Sequence, residues 1–144
     1  MQRPSRIKND SNMCEEAISR YCELLSQAHT AKENAYCRYS GYKVGAALLA
    51  KDGTVITACN VENASYGLTI CAERSAIVKA VSMGYRPGDF EAIAVAASDP
   101  DFSPCGGCRE VINEFGDDID VIFEFGGETV IAPLKELLAY NFKL

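Results

Sequence analysis

Ile119-Asp120-Val121-Ile122-Phe123-Glu124-Phe125-Gly126-Gly127-Glu128-Thr129-Val130-Ile131-Ala132 reads as two short apolar strands, 119–124 and 129–132, joined by a Gly-Gly turn. A connection this tight joins only antiparallel neighbours, because parallel strands need a crossover of about a dozen residues or more. The last two strands are therefore expected to form a hairpin. Upstream, 90–97 reads as a buried strand that runs into a loop around Asp99-Pro100, and a helix starts within 104–108 and stops at Gly116. Ile70 to Met83 reads as a helix closed by Gly84. The runs 44–50 and 54–59 flank the turn signal Asp52-Gly53, and the polar stretch 60–69 is a loop. Near the N-terminus, Asp10 or Ser11 can cap a helix whose apolar stripe is Ile18, Tyr21, Leu24, Leu25 and Ala28, ending near Asn34. Pro133 is placed to open a last short helix ending near Tyr140. No repeat, linker or low-complexity tract divides the chain. One α/β domain over 11–144 with five strands is expected, preceded by a flexible tail over 1–10.

Composition narrows the classes. The chain has 144 residues, 48% hydrophobic and 24% charged, which suits a soluble globular domain with its own core. No apolar run approaches the roughly 18 residues that span a bilayer, and Met1 to Asp10 lacks the apolar centre of a signal peptide. A cytoplasmic protein without a membrane partner is expected. The seven cysteines are an odd number, against the even pairing of a disulfide scaffold. Cys14, Cys22, Cys37 and Cys59 lie scattered among apolar neighbours and are expected to be buried thiols without a ligand role. A net charge of −6, with no basic cluster beyond the sparse Arg3 to Lys8, disfavours a nucleic-acid partner.

The remaining cysteines carry chemistry. Cys71-Ala72-Glu73 and Pro104-Cys105-Gly106-Gly107-Cys108 offer three thiolates and a carboxylate that need not be a ligand. Three protein ligands leave the fourth tetrahedral position of zinc open for water, whereas four close it. Cys-x-Glu followed by Pro-Cys-x-x-Cys is the three-cysteine form of a zinc deaminase signature, in which water attacks an amino-bearing carbon and ammonia leaves. Cys71 and Glu73, at i and i+2, point about 200° apart on an ideal helix, so the metal must sit off the helix N-terminus, where free N–H groups favour thiolates. One Zn²⁺ per subunit is expected on Cys71, Cys105 and Cys108. Glu73 is then the proton shuttle between zinc-bound water, a ring nitrogen and the departing amine. Three thiolates leave the ion with net charge −1. Arg74 and Arg109, each directly after a site residue, are expected to donate hydrogen bonds to sulfur and so restore Lewis acidity.

Blander readings compete with these. Arg74 and Arg109 could be solvated surface cations, and Glu73 an ordinary first-turn acid on a helix N-terminus. Cys105 and Cys108 could form a thioredoxin-type redox pair, which would leave Cys71-Ala72-Glu73 unexplained. A structural zinc site would need a fourth ligand, for which His29 and Cys59 are the candidates.

Four blocks in order extend the pattern. Tyr39-Ser40-Gly41-Tyr42-Lys43-Val44-Gly45-Ala46-Ala47-Leu48, Asn60-Val61-Glu62-Asn63-Ala64-Ser65-Tyr66, Cys71-Ala72-Glu73-Arg74 and Pro104-Cys105-Gly106-Gly107-Cys108-Arg109 resemble the small homotetrameric zinc-dependent cytidine deaminases of pyrimidine salvage. The resemblance runs from about Ala35 to the C-terminus. It implies a three-layer α/β/α fold with a five-stranded mixed sheet, and hydrolysis of cytidine and 2′-deoxycytidine to the uracil nucleosides. Asn60 and Glu62 would then bind the ribose hydroxyls, the Ala72 backbone N–H the base carbonyl, and the Ser103 carbonyl the leaving ammonia. Tyr42 would stack on the base where the family usually carries phenylalanine. Active sites in this family are shared between subunits, so Ala64, Tyr66 and Phe142 would act across an interface. The plainer readings are Asx-turns in 60–63 and a Phe142 that packs on the last helix. Arg38, Glu110 and Ala139 depart from residues common in the family at those positions. Polynucleotide deaminases resemble this fold but separate the last two strands by a helix, which makes them parallel. A deaminase of cytosine-containing antibiotics would lack the ribose-binding loop. From a different class, a non-catalytic zinc-stabilised interaction module would have no use for Glu73.

Overall fold

The computed structural model describes residues 7–9 and 13–144. Along the chain run β1 (Ile7–Asn9), α1 (Glu15–Lys32), β2 (Val44–Ala50), β3 (Val55–Cys59), a 3₁₀ turn (Tyr66–Leu68), α2 (Ala72–Ser82), β4 (Phe90–Ala97), α3 (Gly106–Phe115), β5 (Asp120–Phe125), β6 (Glu128–Pro133) and α4 (Leu134–Leu137). The strands form one sheet in the order β1-β6-β5-β4-β2-β3. β5 and β6 pair antiparallel from Asp120↔Pro133 to Phe125↔Glu128. Gly126 and Gly127 turn between them at φ 62° and 77°, values that cost an L side chain but not glycine. The expected hairpin is present. β4 and β5 are parallel, whereas β2 is antiparallel to both β3 and β4, so the sheet is mixed.

Helices cover both faces. On one side Tyr21, Leu24, Leu25 and Ala28 of α1 pack on Ala47, Leu49, Ala92, Ala94 and Ile122. Fully burying a side chain such as Leu24 contributes roughly 1.5–3 kcal/mol. α1 comes very close to the sheet at Gly45, where an added Cβ would lie 2.1 Å from the Ala28 carbonyl oxygen. Only glycine fits there. On the other side Ala72, Ala76, Ile77 and Ala80 of α2 and Ile112 of α3 pack on Ala46, Leu48, Ile93, Val95 and Val121. The period-2 alternation of β2 between these two clusters makes it a central strand.

Three expectations change. Cys14 is exposed and Cys22, Cys37 and Cys59 are half-buried, not buried as their apolar neighbours in sequence suggested. The sheet has a sixth strand, because Ile7–Asn9 pairs parallel with Thr129–Ile131 at the edge of β6, inside the stretch expected to be a tail. An open edge pairs through backbone groups alone, so three residues need no apolar period that a sequence could display. The remainder of that expected tail, and the Asp10 or Ser11 cap, lie outside the described residues. α1 opens at Glu15 with Cys14 in the cap position and no side-chain cap bond. Glu15 and Glu16 in its first turn supply the negative charge that a helix N-terminus favours. Among the described residues no helix is long and apolar enough to cross a membrane.

Candidate active site and metal centre

Antiparallel pairing puts the start of β2 beside the carboxyl end of β4, with Val44 opposite Ala97. The N-termini of α2 and α3 meet there. Cys71 is the N-cap residue of α2 and Cys105 that of α3, both in extended conformation, and Cys108 lies in the first turn of α3, fully buried. The three Sγ atoms lie within 4.8 Å of one another. This resolves the i, i+2 problem: Cys71 stands just outside its helix and Glu73 inside the first turn.

The thiols differ in their hold on the proton. The Cys71 pKa is held down to about 5, first by its hydrogen bond with Cys108 and then by Arg74. Arg74 Nη2 donates to Cys71 Sγ at 3.0 Å. Cys108 is pushed upward by the same thiol bond and by burial. The Cys108 N–H donates to Cys105 Sγ at 3.4 Å. A tetrahedral zinc ion holds its thiolates roughly 3.8 Å apart, so small side-chain shifts bring the three sulfurs to that spacing. Cys59 and His29 are not in the cluster; among the described residues only these three cysteines form such a group. His29 is engaged elsewhere, between Glu124 at 2.6 Å and Lys32 at 3.1 Å. The donor set fits zinc with one position left open.

Glu73 is 2% exposed, and its Oε1 has no hydrogen-bond partner. Burial pushes its carboxyl above the usual range, and the Cys71 charge adds to this. A buried carboxylate oxygen without a partner is costly, and here it belongs to a residue that lines a cavity of about 230 Å³. The cavity also touches Cys71, Ala72, Ser103 and Cys105 on the metal side, and Tyr42 and Asn60 on the other. Three further lining residues, Val44, Thr69 and Phe102, were not singled out from sequence. Phe102, directly before Ser103, had the clearest positional signal.

The loop side is held by side chains bonding to backbone. Asn60, 7% exposed, accepts from the Val44 N–H at 2.9 Å and donates Nδ2 to the Tyr42 carbonyl at 2.8 Å. Glu62 Oε1 accepts the N–H groups of Tyr39 at 2.9 Å and Ser40 at 3.1 Å, and the Ser40 hydroxyl donates to Oε2. The Ser40 Oγ in turn accepts from the Tyr42 N–H at 3.0 Å. Ser40 thus joins Glu62 to Tyr42, a role no local pattern announces. These bonds lower the Glu62 pKa, the Ser40 hydroxyl first. Burial, then the Asp99 charge, raises that of Tyr42. A mutual backbone pair between Val61 and Ile70 closes the loop and delivers Cys71 beside Asn60. The Asx-turn reading holds at Asn63, whose Oδ1 accepts from the Ser65 N–H at 2.9 Å.

Glu62, Ala64, Tyr66 and Phe142 are not among the residues that line the cavity. Tyr66 and Phe142 are 76% and 68% exposed, and Tyr66 meets Tyr39 edge-on at 6.3 Å. Arg109 departs from its expected partner. Its Nε donates to the Pro104 carbonyl at 2.8 Å and its Nη1 to the Leu137 carbonyl at 2.7 Å, not to sulfur. Arg109 is rotated about 100° around α3 from Cys108, so its reach is decided by the carbonyls that pack beside the helix.

Residues 18–124 match the model of the cytidine and deoxycytidylate deaminase zinc-binding region. The chain belongs to this deaminase family. It is 52% identical over 94 residues to the cytidine deaminase of Sporosarcina psychrophila, covering 65% of this chain and 68% of that one. It is 55% identical over 92 residues to the cytidine deaminase of Halalkalibacterium halodurans, covering 63% and 68%. The crystal structure of cytidine deaminase from Burkholderia pseudomallei superposes with a TM-score of 0.79 at 44% identity, over 90% of this chain and 100% of that one. The deaminase family assignment agrees with the three-thiol cluster and with the mixed sheet closed by a hairpin.

Proposed function

We propose that this chain is a zinc-dependent cytidine deaminase that hydrolyses cytidine and 2′-deoxycytidine to the uracil nucleosides and ammonia. The observation that carries this reading is the buried, partnerless oxygen of Glu73, which lines a cavity together with Cys71 and Cys105 of the three-thiol cluster. Zinc held by Cys71, Cys105 and Cys108 would supply the Lewis acid that makes water nucleophilic at neutral pH. Glu73 takes the proton from the attacking water and passes it to the ring nitrogen beside the amino-bearing carbon. It then takes the second proton, from the new hydroxyl on that carbon, and gives it to the amine; the carbon–nitrogen bond breaks, and ammonia leaves a carbonyl behind. Burial raises the carboxylate's affinity for the protons it takes and returns. Arg74, bonded to Cys71 sulfur, withdraws negative charge from the thiolates.

Recognition falls to the other side. The Ala72 N–H, free at the start of α2, serves the base carbonyl, the Ser103 carbonyl faces the departing ammonia, and Tyr42 stacks on the ring. Asn60 Nδ2 keeps one N–H beyond its bond to Tyr42, and the Glu62 carboxylate keeps unused lone pairs, so both can meet sugar hydroxyls. The reading extends to one catalytic domain over 11–144, a cytoplasmic place in pyrimidine salvage, and a homotetramer in which Ala64, Tyr66 and Phe142 complete a neighbour's site. The exposed rings of Tyr66 and Phe142 support the shared site. The acidic net charge of −6 speaks against a nucleic-acid substrate.

The test is incubation of the zinc-loaded chain with cytidine, following uridine and ammonia together. Equal yields of both are expected. Absence of conversion at saturating cytidine would sink the reading, and a purely monomeric sedimentation profile in the active preparation would sink the shared site.

A further inference from the structure

We infer that Arg109 is a positioning residue that holds Cys105 in the metal cluster by bracing its loop against the C-terminal helix. The three thiols are not held equally. Cys108 is fully buried within α3, and Cys71 precedes the buried pair Ala72 and Glu73. Cys105 is exposed, and so are Gly106 and Gly107 after it. A Cβ at Gly106 would meet no atom within 4 Å. Packing therefore anchors Cys105 on one side only, through the buried Pro104.

Arg109 supplies the missing constraint. Its backbone N–H donates to the Cys105 carbonyl at 3.0 Å. Its guanidinium turns back to the carbonyl of Pro104, the peptide that leads into Cys105, and reaches across to the carbonyl of Leu137, the last residue of α4. Both acceptors are carbonyls without a helical partner of their own, and a planar cationic fork can serve them at once where an ammonium cannot match the geometry. One turn further along α3, Asn113 Nδ2 donates to the Phe142 carbonyl at 3.4 Å. One face of α3 thus carries the C-terminal segment, and its leading end carries the exposed ligand. Metal retention and the order of α4 are therefore coupled through one side chain.

This rests on the zinc-binding reading of the three thiols. The experiment uses the full chain loaded with zinc and compares wild type, Arg109→Ala, Arg109→Lys and Asn113→Ala. Zinc release to a chromogenic chelator and hydrogen exchange of the α4 amides are measured, together with the thiolate-to-metal absorption of Co²⁺-loaded protein. The Leu134, Lys135 and Leu138 amides are each hydrogen-bonded and serve as reporters. Arg109→Ala is expected to release zinc about tenfold faster or more and to lose protection at these amides. Arg109→Lys, which can keep one bond, falls between and shifts the Co²⁺ bands. Asn113→Ala leaves release unchanged. Should Arg109→Ala fail to fold, Arg109→Lys carries the comparison. Wild-type release rates in the arginine variants would overturn the inference, as would faster release with α4 protection intact. A wild type that takes up no zinc overturns the zinc reading first, and this inference with it.

Discussion

The two walls of the cavity are built on different terms. The metal wall consists of two helix N-termini with Ala72, Glu73 and Cys108 buried at 0%, 2% and 0% exposure. The loop wall consists of residues around 39–42 and 60–70 that are mostly exposed, held by a net of hydrogen bonds centred on Asn60, Glu62 and Ser40. Groups that bind metal and move protons need positions fixed to a fraction of an ångström, which rigid elements provide. Groups that recognise a sugar and a ring face tolerate a loop, provided the loop is internally cross-linked. The prediction is that damage to the metal wall removes turnover, and damage to the loop wall weakens binding.

Each wall can be broken separately. Stripping the metal with a chelator abolishes turnover, and added zinc restores it; retention of full activity in the metal-free protein would erase the distinction between the walls. Tyr42→Ala should raise KM by about ten- to a hundredfold, since stacking on a base contributes ~1–3 kcal/mol, with kcat nearly unchanged. A fall in kcat alone would place Tyr42 with the chemistry. Ser40→Ala removes the hydroxyl that joins Glu62 to Tyr42. It should raise KM only several-fold, because the bond it donates to the Glu62 carboxylate competes with water at an exposed position, and its effect should not add to that of Tyr42→Ala. Strict additivity would separate the two positions.

The smallest effect lies on the α1 side of the sheet, as a control on both walls. Asp120 accepts from the Tyr21 hydroxyl at 2.8 Å, and burial, followed by the Glu91 and Asp118 charges, raises its pKa. A carboxyl raised in the folded state contributes stability that is present below its unfolded pKa and lost as pH rises through the folded value. Asp120→Asn keeps an acceptor for Tyr21 and removes that loss. Denaturant melts should show the variant gaining on wild type as pH rises through the mildly acidic range, with kcat and KM unmoved.

The metal wall was legible because its chemistry is local. Cys71-Ala72-Glu73 and Cys105-Gly106-Gly107-Cys108 carry their ligands and their helix starts within a few residues, and Gly126-Gly127 announces a hairpin in two. The loop wall was legible only in residue type. That Asn60 would clamp Val44 and Tyr42, or that Ser40 would serve Glu62, depends on a loop approach across some twenty residues. Arg109 shows the limit most clearly: its neighbour in sequence is a ligand, but its partner Leu137 is 28 residues away on another helix. β1 escaped notice for a related reason, since edge pairing is specified by the backbone and leaves no pattern in side chains.

The most direct test of the division between the walls is Glu73→Gln, which removes the proposed proton acceptor while keeping the shape and the three thiols. The variant should hold zinc at wild-type stoichiometry and bind cytidine with near wild-type affinity, while uridine formation falls by about a thousandfold, within the range general acid–base groups contribute. Wild-type turnover in that variant, with its metal content intact, would contradict the account.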